Sequence, residues 1–65
     1  MSEHIERMKA EHADLNEKII ALNQFIYSNP IFKTLDNMER ARMISQSGCM
    51  EAYLGILGSR IWAAT

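Results

Sequence analysis

Ile5, Met8, His12, Leu15, Ile19, Leu22 and Ile26 recur at spacings of 3, 4, 3, 4, 3 and 4 residues. That rhythm places one stripe along one side of an α-helix, and the stripe is stable only when another helix covers it. A second seam follows, in which Met43, Ser47, Met50, Leu54, Leu57, Ile61 and Ala64 are spaced 4, 3, 4, 3, 4 and 3. Between the seams stands Ser28-Asn29-Pro30. The residue before a proline avoids helical angles, and proline suits the first position of a new helical turn. The first helix therefore ends there. A short helical turn over Pro30 to Leu35 is expected, with Ile31, Phe32 and Leu35 as a plug over the end of the pair.

Asp36 followed by Glu39 has the form of a capping box and starts the second helix. Ser2 is placed to cap the first. Two seams joined by a short link predict an all-α, antiparallel two-helix hairpin of coiled-coil type. It forms a single domain over residues 1–65, with a helix over about 3–27, a link over 28–36 and a helix over about 37–63. Glu3 with Arg7 and Asp14 with Lys18 stand in the favourable i, i+4 order on the first helix. In an antiparallel pair whose link has this length, residue i faces roughly 67 − i. His12 is then expected level with Gly55, and Arg7 and Lys9 near Arg60.

Sixty-five residues bury little apolar surface, so a chain of this size usually needs a disulfide, a metal or a partner. Cys49 is the only cysteine and excludes an internal disulfide. Cys49, His4 and His12 supply three zinc ligands at most, without paired spacing, so no metal or cofactor is expected. A second copy of the chain is the remaining support. Gly48, Ala52, Gly55, Ser59 and Ala63 form a ridge of small residues beside the second seam, and Gly58 adds to it. A glycine inside a helix costs about 1 kcal/mol against alanine, and three cost roughly 3 kcal/mol. Close approach of another backbone offsets that cost; the alternative is a kink or frayed segment near Gly48. Trp62 reads as an interface residue between copies ahead of a stacking platform for a ligand. The expected assembly is a helical bundle, a dimer or a higher even oligomer.

A hydrophobic fraction of 48% argues against disorder. The net charge of −1 speaks against general nucleic-acid binding, which needs a concentrated basic surface. No apolar run approaches the roughly 18 residues of a membrane span, and Met1 to Lys9 lacks the core of a signal peptide. A cytosolic protein with a reduced Cys49 is expected, and Cys49 lies where burial beside the seam would make it inert.

The residues suited to binding gather at the open end of the hairpin. His12 interrupts an aliphatic seam, either as a ligand contact or proton switch or as a seam histidine at an open end. Tyr53 and Arg60 lie seven residues apart on one face. Tyrosine offers a stacking surface, and arginine a planar fork for phosphate or carboxylate. The alternative is that Tyr53 caps the core and Arg60 pairs with Glu3, Glu6 or Glu11. Arg60 and Tyr53 are thus the candidate ligand-binding residues, with His12 and Lys9 as neighbours from the first helix. Lys33, Arg40 and Arg42 at the other end read as a solvated face. No catalytic triad, phosphate-cradling glycine loop or paired metal ligands appear, so the chain does not read as an enzyme.

Glu11-His12-x-x-Leu15, Leu22-x-x-Phe25-Ile26, Phe32 and Met50-x-x-Tyr53-x-x-Ile56-Leu57-x-x-Arg60-Ile61 together resemble a family of very short tailed-phage and prophage proteins. That family takes its name from a member of a crAss-like phage. The resemblance covers Ile5 to Ile61 and departs from the family's pattern at Gly48 and Cys49, where helix formers are usual. It implies a phage accessory protein working in the cytoplasm of the bacterial host. Some of its members are implied to act against cyclic-nucleotide immunity. Two binding roles follow: an oligomer that sequesters a cyclic nucleotide signal in pockets between subunits, or a helical face that docks on a host defence protein. A purely structural coiled-coil module is the third.

Overall fold

A computed structural model describes residues 2–65; Met1, the first residue of the segment read for a signal core, lies outside them. Helix α1 spans Glu3–Ser28, a 3-10 turn spans Pro30–Thr34, and helix α2 spans Asn37–Ala64. The two helices lie against each other as a rod of 47 × 15 × 13 Å, two helices wide. α2 runs unbroken from Asn37 to Ala64, so neither Gly48 nor Cys49 interrupts it.

The caps account for the boundaries. Asn29 closes α1, and its side-chain oxygen accepts from the Ile31 N–H at 2.9 Å to start the turn at Pro30. The Asp36 carboxylate accepts from the Glu39 N–H at 2.8 Å and starts α2. Ser2 sits at the start of α1 with extended angles, but its side chain makes no capping bond.

The seams meet as their spacing requires. Among the described residues Met8, Ile19, Ile26, Phe32 and Leu57 are the buried apolar ones, and Leu57 alone is fully enclosed. The other seam positions are half-buried apart from Ala64, exposed in the last turn, and Ser47, buried at mid-length. The buried Ser47 hydroxyl donates to Asn23 Oδ1 at 2.5 Å across the interface. Side-chain contacts across the pair fall about three residues to either side of the expected level: Asn23 meets Ser47 and His12 meets Gly58, whereas Glu11 meets Tyr53. The His12 imidazole meets Gly58, where Gly55 was expected opposite it. Knobs of unequal size interlock at the offset where the buried polar pair is satisfied, and loop length does not encode that offset.

Other expectations need correction in the same way. Phe32 is buried edge-on against Phe25, with ring centroids 6.1 Å apart, but Ile31 is exposed and takes no part in the plug. Asp14 pairs with Lys18 at 3.1 Å, whereas among the described residues the other surface pairs are Glu6 with Lys9 and Glu39 with Arg42, not Glu3 with Arg7. Cys49 is exposed. One residue is a rotation of about 100°, which carries it from the edge of the seam into solvent.

Candidate functional site

α2 presents two distinct surfaces besides its seam. Its outward face is Ala41, Ser45, Gly48, Ala52, Gly55, Ser59 and Ala63, every one exposed. Ile44, Ile56 and Trp62 border it, also exposed, Trp62 at 82%. No charged residue interrupts this strip. A Cβ added at Gly48 or Gly55 would meet nothing within 4 Å, so the single chain gives neither glycine a packing reason. The five predicted interface residues, Gly48, Ala52, Gly55, Ser59 and Trp62, are therefore together on one open face. Gly58 is not among them: it is half-buried and looks toward α1.

The four predicted ligand residues separate into two pairs. Lys9 and His12 from α1 join Gly58 and Ile61 from α2 around a cavity of about 330 Å³. Tyr53 lies elsewhere, donating its hydroxyl to Glu11 Oε2. Lys9 and Glu11 are two residues apart on α1, and Gly58 and Arg60 two apart on α2, so each couple diverges by about 200° around its helix. The cavity thus occupies one flank of the hairpin, and Tyr53, Glu11 and Arg60 the other. Lys9 does not share a surface with Arg60 in one chain, as the earlier register implied.

Charge on the second flank is mixed. The hydrogen bond to Glu11 raises the Tyr53 pKa above its ordinary 10.0, with desolvation and the Glu11 charge acting in the same direction. The Arg60 guanidinium opposes them and is close enough to act on the phenol. Among the described residues Arg60 forms no salt bridge, with Glu11 or with any other acid. Glu11 was the residue not foreseen as Tyr53's partner. Its signal was its place one position before His12 on the flank of the seam. Gly58 and Ile61 were not foreseen as cavity walls, although Leu54, Gly58 and Ile61 follow the seam's own 4, 3 spacing.

The rest of the molecule offers little chemistry. Among the described residues no three of His, Cys, Asp and Glu gather to hold a metal ion, and no helix is long and apolar enough to cross a membrane. A second, open cavity of about 460 Å³ lies at the link, lined by Ala21, Gln24, Phe25, Ser28, Asn29 and Pro30.

With the helical hairpin and its seams in place, the family model for Sequestin matches residues 2–63. The chain belongs to the Sequestin family. The match takes in α1, the turn at Pro30, α2 as far as Ala63 and all four candidate ligand residues. No curated protein and no solved structure matches the chain.

Proposed function

We propose that this Sequestin-family hairpin is a non-catalytic sequestering protein of a tailed phage. It self-associates through the outward face of α2 and holds a small anionic signal of the cyclic nucleotide class between copies, in the cytoplasm of the bacterial host. The family name supports sequestration. The observation that carries the reading is the division of the candidate binding residues. Lys9 and His12 lie on one flank and Tyr53 and Arg60 on the other, with the uncharged α2 face between them. Two hairpins packed on that face about a two-fold axis parallel to α2 set one copy's Tyr53–Arg60 flank beside the other's Lys9–His12 flank. A pocket with cations on both walls then needs two chains.

The area of the single chain supports association. It exposes 4801 Å², against about 4,250 Å² for a compact monomer of 7.5 kDa. A host defence protein docked on the same α2 face is the second reading, favoured by the exposure of Ile56 and Trp62.

Sedimentation and calorimetric titration with a panel of cyclic nucleotides test the proposal. An oligomer that binds a cyclic nucleotide, loses binding on Arg60→Ala or Tyr53→Ala and keeps its melting temperature in Arg60→Ala is the expected result. Mixing Arg60→Ala with Lys9→Ala chains should restore part of the binding, because a mixed pair rebuilds one intact pocket. A well-folded monomer at micromolar concentration that binds none of the panel sinks the proposal, and capture of a host protein by that monomer puts the second reading in its place.

A further inference from the structure

We propose that Gly58 holds open an anion site between α1 and α2, in which Lys9 and His12 take a phosphate group of the ligand. The inference rests on the sequestration reading and assigns the phosphate to one of its two flanks.

α2 carries three glycines, and only Gly58 meets the other helix. A Cβ there would lie 3.4 Å from His12 Nε2 and 3.8 Å from Cδ2. Those are ordinary contact distances, so alanine fits. Alanine is also the better helix former, and it would cover apolar surface at a half-buried position. Folding alone therefore favours alanine over glycine at 58.

What the methyl group would change is access to His12. It would rest against Nε2, and Nε2 has no hydrogen-bond partner among the described residues. With glycine, the space beside that nitrogen stays open, and His12 lines the cavity. Lys9 stands on the same wall, half-buried, and among the described residues its Nζ pairs with Glu6 alone, at a loose 3.8 Å. An entering phosphate can replace Glu6 as the partner of the ammonium and accept from the imidazole. Ile61 supplies an apolar floor for the sugar or base. At about 330 Å³ the cavity is at the lower end of ligand-site volumes, which suits a phosphate with its sugar better than a whole dinucleotide.

Titration of the isotope-labelled, full-length protein with inorganic pyrophosphate and with cyclic di-AMP, followed by nuclear magnetic resonance, tests this. The Gly58 amide and the His12 ring signals should shift with either probe. Gly58→Ala should raise the melting temperature by about 4–8 °C, as a gain in helix propensity does for a domain of this size. It should weaken binding of both probes at least tenfold, and Lys9→Gln should do the same without the gain in melting temperature. Unchanged binding by Gly58→Ala overturns the inference. So do shifts centred on Tyr53 and Arg60 with Gly58 and His12 silent, an outcome that leaves sequestration standing. A parent protein that binds neither probe nor any cyclic nucleotide overturns both.

Discussion

The outward faces of the two helices differ in charge. That of α1 carries Glu3, Glu6, Asp14 and Glu17, all exposed, with small and amide residues between them. That of α2 carries Ala41, Ser45, Gly48, Ala52, Gly55, Ser59 and Ala63, equally exposed and without a charge along the helix. A helix face meant for water is dressed with charged side chains, as α1's is. A face of small residues bordered by Ile44, Ile56 and Trp62 lets another backbone approach closely and offers apolar edges to cover. One side of the hairpin is thus finished as a surface and the other as half of an interface. The glycines follow the same division: Gly48 and Gly55 open outward, whereas Gly58 opens toward α1.

Substitutions can break this comparison, beginning with the seam that holds the two helices together. Leu57 is 1% exposed, so Leu57→Ala should cost about 2–5 kcal/mol in urea unfolding. A loss well under 1 kcal/mol would mean that contacts on the outward face, not the seam, carry the stability. Gly55→Leu sharpens the contrast by its sign. In a lone hairpin the new side chain meets nothing, and the helix gains nearly 1 kcal/mol from propensity. Packed against a second copy, it overfills the contact and costs about 1–3 kcal/mol. We expect the loss, with a fall in sedimenting mass. Ala10→Leu on the acidic face of α1 should stay within about 0.5 kcal/mol as the matched control.

Asn23→Ala tests the register. It removes the cross-helix acceptor of the buried Ser47 hydroxyl, which keeps Glu51 Oε1 at 3.5 Å on its own helix, and should cost about 0.5–1.5 kcal/mol, read from the same unfolding curves. The smallest effect belongs to the mixed-charge flank. With Tyr27 changed to phenylalanine, Tyr53 is the one tyrosine left to titrate by ultraviolet absorbance. Its midpoint should lie above 10.0 and fall back when Glu11→Gln removes the carboxylate. A folded-state pKa raised in this way gives a stabilising contribution that is complete below pH 10.0 and lost as the pH climbs through the raised value.

Much of this was legible in the sequence for one physical reason: helical periodicity is local. The seams from Ile5 to Ile26 and from Met43 to Ile61, the stop at Pro30 and the Asp36 cap each depend on residues within four positions of one another. So did the small-residue ridge of α2. The phenylalanine plug was half legible, since Phe32 packs inward as its apolar character suggests and Ile31 does not.

Where one helix meets the other was decided only by the tertiary structure. Register depends on how side chains of unequal size interlock and on which buried polar groups find each other, as Ser47 finds Asn23. The His12 imidazole meets Gly58 instead of Gly55, and the two line a cavity with Lys9 and Ile61. The same rotation of about 100° per residue that made the seams readable sends Lys9 and Glu11, though nearly adjacent in the chain, to opposite flanks. A one-dimensional pattern says that residues lie near the same end of a rod. Which side of the rod they share is settled by the register and rotation at which two helices pack.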